Sequence, residues 1–560
     1  MPGKFRIYFQ QSMHKKIFLN NLIIALAAAL LFIPFLGGVH LFDWDEINFA
    51  ESAREMIATG DYLTVRINFI PFWEKPPLFI WMQVLSMKVF GINEFAARFP
   101  NAICGIVTLL VLYNAGRKIK DEKFGRIWVL LYAGSLLPFI YFKSGIIDPW
   151  FNLFIFLCIF IFHSYFTDSR NQLLKTVLSA FFLGLAILTK GPVALLIFLI
   201  VFGIFLLVKK FSVKVRIADV IAFVAVLAIT GGFWFILQIA QGNFSIIADF
   251  IVYQVRLFKT QDAGHGGFLL YHFVVLFFGV FPASMLALPA LFPSKYRNTE
   301  PHDFYLWMII LFWVVLILFT IVRTKIVHYS SLCYFPVTFL ASWALYHSDE
   351  SFNRSWSRVT SIFISVSGIL TGILVFFLSF FDSWKGWFIQ HFKIRDSFAL
   401  ANMSANGAWK GFEFITGILL IASVIVFAAI WKKQRIKAVY FLTLSVSVFM
   451  LLALTLIVPR VESYSQKAAI EFFQSVSNED AYLATLGYKS YAHLFYGKAK
   501  DHRGVESSRK EWLLTGELDR PAYFAAKINR KEKLMKEYPG LQYLYEKNGF
   551  VFFTRNAAGK

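Results

Sequence analysis

Between residues 38 and 94 the chain concentrates groups able to do chemistry. Asp43, Asp45, Glu46 and Glu51 crowd together directly after a long apolar run. Four acids there sit badly against anionic headgroups unless a cation or a substrate compensates them. Asp43 with Glu46 three residues on has the spacing of a capping box, opening a short amphipathic helix through FAESAREMIATG. That duty occupies Asp43 and Glu46 and leaves Asp45 over, so Asp45 is the candidate functional acid. Further along, Phe72-Trp73-Glu74-Lys75-Pro76-Pro77 sets an acid and a base between aromatics and two prolines that restrict the backbone. By residue type alone, Glu74 and Lys75 read equally as site groups or as an ion pair at a membrane interface, with Trp73 and Trp81 in the aromatic belt.

Other chemistry-bearing residues stand at the ends of apolar runs. Asp148, before Pro149, has the position of an N-cap. Lys190, in Thr189-Lys190-Gly191-Pro192, either snorkels or meets an anion beside a helix break, where an unpartnered cation is costly. His265, between Gly264 and Gly266-Gly267, reads as a flexible polar contact.

The elements that must position these groups are transmembrane helices. The 560 residues are 58% apolar and 16% charged, whereas a soluble domain carries about 25% charged residues. Unbroken apolar runs of roughly 18–25 residues match the hydrocarbon core and exclude the alternating pattern of a β-barrel. Window hydropathy predicts about thirteen spans, among them 125–142, 268–291 and 327–346. Basic loops (Arg117 to Arg126, Lys209 to Arg216, Lys432 to Lys437) alternate with loops carrying few charges. The positive-inside rule then places the N-terminus in the cytoplasm and, after an odd number of spans, the C-terminus outside. The net charge of +21 is accounted for by such loops and by headgroups, with no call on nucleic acid. Cys104, Cys158 and Cys333 have neither zinc nor redox spacing.

Two regions follow: a membrane domain over 1–459, with 38–94 as its first outer loop, and a small extracytoplasmic α/β domain over 460–560. In the latter, 465–476 has helical spacing, 481–487 reads as a strand, and Asn548-Gly549 marks a hairpin. No nucleotide fingerprint occurs. No internal repeat is evident, which disfavours an inverted-repeat transporter.

Asp45-Glu46-Ile47-Asn48-Phe49-Ala50-Glu51, Arg54-Glu55-Met56, Gly60-Asp61 and Phe72-Trp73-Glu74-Lys75-Pro76-Pro77 together resemble the aminoarabinose lipid A transferases and their protein mannosyltransferase relatives. These are inverting membrane glycosyltransferases of the GT-C type. The resemblance continues through Phe90-Gly91, Ala97-Arg98, Asp148, Leu188-Thr189-Lys190-Gly191, Arg256, His265, Arg323-Thr324-Lys325, Tyr329 and Pro336. It implies transfer of a sugar, aminoarabinose-like or a hexose, from a polyprenyl-phosphate donor at the inner membrane. The implied acceptor is lipid A or another envelope glycan or protein. It implies Asp45 as the base, with Glu46, Lys75, Asp148, Lys190, Arg256, Lys325 and Tyr329 binding sugar or phosphate. Glu74 and His265 are implied ligands of one divalent metal ion.

The chain departs from the aminoarabinose pattern at three places. Asn48 and Phe49 stand where those enzymes have an arginine and a tyrosine, and Phe72 stands where they have a tyrosine. Asn cannot supply the bidentate charge an Arg offers a phosphate. The sugar and the acceptor are therefore open, and a protein O-mannosyltransferase-like activity is the alternative. A lipid-linked saccharide flippase would use the same cations without needing a base at Asp45. A scaffold would explain the C-terminal region and leave the acidic loop without a purpose.

Overall fold

The computed structural model describes residues 2–72, 74–259, 266–291, 302–502 and 509–557. Its long helices are α1 (Pro2–Phe32), α4 (Glu94–Ile119), α7 (Asp148–Thr167), α8 (Gln172–Lys190), α9 (Val193–Val208), α10 (Ile217–Ala240), α14 (His302–Ile321), α16 (Arg354–Leu378), α17 (Ile415–Trp431) and α18 (Arg435–Leu452). Among the described residues, eight helices are long and apolar enough to cross a membrane. The pair α12 (Tyr271–Gly279) and Ala283–Leu291, which opens on α13 (Ala283–Ala287), is also apolar enough but bent by 104°, the geometry of a broken span or a re-entrant loop. The count is lower than the hydropathy reading because Val193–Val208 and Ile415–Trp431 are apolar but shorter, and because two further runs are interrupted. The run 125–142 breaks between α5 (Glu122–Ala133) and α6 (Leu136–Tyr141), and 327–346 begins as a 3₁₀ turn, Val327–Cys333, before α15 (Tyr334–Tyr346). Hydropathy sums over such breaks, because a broken helix is as apolar as a straight one.

Small residues set the tightest helix contacts. A Cβ added to Gly116 of α4 would lie 2.7 Å from Gly125 Cα in α5, so only glycine permits that approach. The interior is aromatic: Trp128 packs edge-on to Phe124, Phe156 and Phe339. Such pairs are worth about 0.5–1.5 kcal/mol each beyond the area they bury. Cys104, Cys158 and Cys333 are free and buried in the helical bundle.

The segment 38–94 holds more structure than its sequence announces. It contains α2 (Asp45–Thr59), the short antiparallel pair β1 (Arg66–Ile67) and β2 (Ile70–Pro71), and α3 (Leu78–Phe90). Helix α3 exposes Leu85, Val89 and Phe90, and α11 (Phe244–Lys259) exposes Phe244, Ile251, Val252 and Val255. An apolar face on a helix too short to span suits the membrane interface.

Residues 460–557 include α19 (Lys467–Ser475) and a four-stranded sheet. Its strands are β3 (Tyr482–Leu486), β4 (Ala522–Lys527), β5 (Gln542–Lys547) and β6 (Phe550–Arg555), in the order β3-β4-β6-β5. β3 and β4 are parallel and the other pairs antiparallel. Asn548 and Gly549, with φ of 48° and 80°, turn the chain from β5 into β6. This region does not have a core of its own throughout. Ile47, Phe49 and Phe79 of the 38–94 segment share one apolar cluster with Phe472, Phe495 and Phe552.

Candidate active site

The start of α2 departs from the capping-box expectation. The helix opens at Asp45, and Trp44 at its N-cap makes no side-chain capping bond. Glu46 reaches back to accept a hydrogen bond from Phe42 N (2.8 Å). Asp43 turns away, its Oδ1 accepting from Tyr491 N at 3.4 Å. Burial raises the Asp43 carboxyl above the usual range, opposed by its bonds to Ser490 and Tyr491.

Glu46 is held by a buried arginine. Arg98 Nε donates to Glu46 Oε1 (3.0 Å) and Nη2 to Oε2 (2.8 Å). The other Arg98 donors go to the carbonyls of Leu36, Val39 and His40. All five guanidinium N–H groups are thus engaged, and the buried charge is both paired and hydrogen-bonded. Gly145 N also donates to Glu46 Oε1. Glu46 therefore fixes the start of α2 to α4 and to the turn before α7, although its side chain borders the cavity.

Asp45, the next residue back, is left facing open space. It lines a cavity of about 590 Å³ with Glu74, Lys75, Asp148, Lys190, Arg256 and Tyr329. The structure so gathers eight of the ten residues singled out from the sequence, Glu46 included. Lys325 is not among the lining residues. Its ammonium donates to Phe319 O (3.0 Å), Thr320 O (2.6 Å) and Val322 O (2.7 Å), satisfying orphan carbonyls at the end of α14. His265 lies outside the described residues.

Asp148 is the first residue of α7 and makes no capping bond, unlike the N-cap expectation. Its Oδ1 instead accepts from Lys190 Nζ at 2.5 Å, with side-chain exposures of 2% and 11%. An acid at a helix N-terminus and a base at a helix C-terminus each complement the macrodipole, so the pair ties α7 to α8 at one end. Lys190 also lies over the rings of Phe151 and Tyr329.

Tyr253 of α11 organises the opposite wall. Its hydroxyl donates to Glu74 Oε2 (2.9 Å), and Lys75 and Arg256 both lie over its ring, at 5.4 and 5.1 Å. Burial pulls the Lys75 ammonium below the usual lysine range. Glu74 works against that shift, and Lys190 adds to it. Of the two expected metal ligands, Glu74 lies among the described residues. Among the described residues no group of three or more His, Cys, Asp or Glu side chains could hold a metal ion. The donors present around Glu74 do not by themselves make a metal site.

Sequence reasoning missed three lining residues. His328 Nε2 stands 3.3 Å from Asp45 Oδ2, bringing two segments about 280 residues apart into one dyad. Lys489, from the C-terminal region, lies 4.6 Å over the Trp44 ring. Tyr253 is the third. A signal for His328 existed, since it adjoins Tyr329, but a lone histidine at a helix start is no motif. Lys489 and Tyr253 carry no local signal.

The residues 74–234 match the family model of dolichyl-phosphate-mannose-protein mannosyltransferases. An undecaprenyl phosphate-alpha-4-amino-4-deoxy-L-arabinose arabinosyl transferase of Photorhabdus laumondii is 26% identical over 57% of this chain and 58% of its own length. One from Pectobacterium atrosepticum is 25% identical, over 74% of this chain and 72% of its own. The match thus spans less than two thirds of the first relative. The crystal structure of ArnT from Cupriavidus metallidurans bound to undecaprenyl phosphate superposes with a TM-score of 0.74 at 16% identity, covering 96% of this chain and 98% of that one. The chain shares the fold of that structure.

Proposed function

We propose that the chain is an inverting glycosyltransferase moving a sugar from a polyprenyl-phosphate donor to an acceptor in the outer leaflet, lipid A first. The observation carrying this reading is the single cavity in which Asp45 faces Lys75, Lys190 and Arg256. A base and a set of cations are the two things the reaction needs. Asp45 takes the proton from the acceptor hydroxyl as its oxygen attacks the anomeric carbon. The bond to phosphate breaks from the opposite face, which inverts the centre without a covalent intermediate. Lys75, Lys190 and Arg256 meet the charge that develops on the leaving phosphate, and one well-placed donor of this kind contributes about 3–4 kcal/mol. Asp148 orients Lys190, and His328 holds the Asp45 carboxylate.

The topology that serves this reading has thirteen crossings. To the eight long helices it adds α5 with α6, α9, α12 with Ala283–Leu291, the segment Val327–Tyr346, and α17. The N-terminus is then cytoplasmic, and the cavity and residues 460–560 are extracytoplasmic. Every cavity-lining residue falls on that outer side, and the basic loops fall on the other. A divalent ion held by Glu74 with His265 belongs to the proposal, and no step depends on it.

The sugar is aminoarabinose-like or a hexose. The family-model match to protein mannosyltransferases, with Asn48 and Phe49 in the site, supports a protein O-mannosyltransferase-like activity as the second reading. Purified protein in proteoliposomes, supplied with a polyprenyl-phosphate sugar and lipid A, tests the first reading. Transfer lost in Asp45→Asn with donor binding kept supports the transferase, and transfer that survives overturns it. Export of the intact lipid-linked sugar without transfer means a flippase.

A further inference from the structure

The helical bundle has a second recess, at the end away from the active-site cavity. Asp148, the first residue of α7, lines that cavity. Leu157, Phe160 and Ile161 of the same helix line a groove about 14–20 Å further along its axis. The facing wall is α4, where Val111, Ala115 and Lys118 share one face and Arg117 stands beside them. The groove holds about 420 Å³. Val111, Leu157, Phe160 and Ile161 are only half-buried, so it opens sideways out of the bundle.

All the charge of the groove is at one end. Arg117 Nε is buried and has no hydrogen-bond partner among the described residues, whereas every donor of Arg98 is engaged. An unmade bond to a buried charged group is costly, so Arg117 calls for an anion. The acids at this end of the bundle are spent elsewhere. Glu122 pairs with Lys16 and Arg126, Asp121 accepts from Phe124 N and the Tyr346 hydroxyl, and Asp303 pairs with Lys209. Asn114, also in the groove, gives its amide hydrogens to Asn21 and Leu110. Lys118 lies 5.9 Å over the Phe160 ring, an arrangement that leaves an ammonium's N–H donors available.

We propose that this groove binds an anionic phospholipid of the leaflet remote from the active-site cavity, with Arg117 and Lys118 on its phosphate and one acyl chain along Val111, Leu157 and Ile161. A guanidinium meets a phosphate with two N–H groups at once. Basic recesses between membrane helices on the cytoplasmic side are where anionic headgroups collect. A free anion would leave the apolar walls bare, and a zwitterionic lipid brings its own cation to the phosphate. The site does not depend on the transferase reading.

The test titrates the full chain in detergent with phosphatidylglycerol, phosphatidylcholine or inorganic phosphate, read by native mass spectrometry. One phosphatidylglycerol per chain is expected to bind more tightly than phosphatidylcholine. Arg117→Gln and Lys118→Gln are each expected to weaken it about fivefold, and Arg117→Lys to weaken it less. Ile161→Trp, which fills the groove and keeps every charge, is expected to weaken it as well. Lys433→Gln, at an exposed lysine between α17 and α18, is expected to change nothing. Equal phosphatidylglycerol binding by wild type and Arg117→Gln overturns the proposal. An equal loss in Lys433→Gln also overturns it, since that is general attraction of lipid to a basic face. Phosphatidylcholine or inorganic phosphate binding as tightly as phosphatidylglycerol overturns it too. Lipid-free thermal midpoints matching wild type separate loss of lipid from loss of fold. If Arg117→Gln does not fold, Lys118→Gln, at an exposed position, decides in its place.

Discussion

Lys190 Nζ and Asp148 Oδ1 meet at 2.5 Å, joining the C-terminus of one helix to the N-terminus of another at the floor of the cavity. Removing either partner alone strands a buried charge, which costs about 3–5 kcal/mol. Lys190→Met and Asp148→Asn should therefore each lower the thermal midpoint. The double variant should recover most of that stability while transfer stays low, because the phosphate then lacks the Lys190 ammonium and keeps only Lys75 and Arg256. Recovery of transfer in the double variant would mean the pair is only a brace. Thermal unfolding in detergent beside a turnover assay reads both.

Arg98 and Glu46 make a different case, since neither is asked to touch substrate. Arg98→Met should destabilise by about 3–5 kcal/mol, leaving Glu46 charged and buried. The loss should be smaller in Arg98→Met with Glu46→Gln. Unfolding of the two variants relative to wild type checks the coupling.

His328 is a positioning residue for Asp45. A misplaced base costs up to about 10²-fold in rate, so His328→Ala should lower kcat by that order while undecaprenyl phosphate binding holds. His328→Gln, which keeps a donor toward Asp45 Oδ2, should recover much of it. A structural role alone would change stability in both variants and would not separate them in kcat.

Glu55 supplies a pH signature. It is buried beside Glu51, which forms a bidentate pair with Arg54, with both contacts at 2.7 Å. Burial first, and then the Glu51 charge, raises the Glu55 carboxyl well above its ordinary 4.5. The folded state thus binds a proton the unfolded state releases. Stability from this group is full below about pH 4.5 and falls as pH rises toward the raised folded value. Glu55→Gln should leave the midpoint near pH 4.5 almost unchanged and raise it at pH 8. An equal pH slope in wild type and Glu55→Gln would contradict this.

How much of this could be read from the chain differs by residue. The long helices are legible because apolar runs of bilayer length allow few alternatives. The α5–α6 break and the bend after Gly279 are not, since hydropathy is blind to where a helix stops. Asp45 stands out in the sequence because a capping box would occupy Asp43 and Glu46; that box does not form, and the structure sets Asp45 beside His328 on the cavity wall. Glu46 went to Arg98, a partner 52 positions away that no local pattern announces. Lys325 was chosen for its charge and side, and carbonyls three to six residues behind it claimed that charge. Lys489 and Tyr253 enter the cavity through tertiary packing alone.

The central claim is that Asp45 is the base of a transfer from a polyprenyl phosphate. Mass spectrometry of lipid A and of the polyprenyl-phosphate pool, in cells expressing wild type or Asp45→Asn at equal levels, tests it most directly. The account predicts that one glycosylated species disappears in Asp45→Asn while the sugar-charged polyprenyl phosphate accumulates, the mass difference naming the sugar. Both pools unchanged between wild type and Asp45→Asn would contradict it.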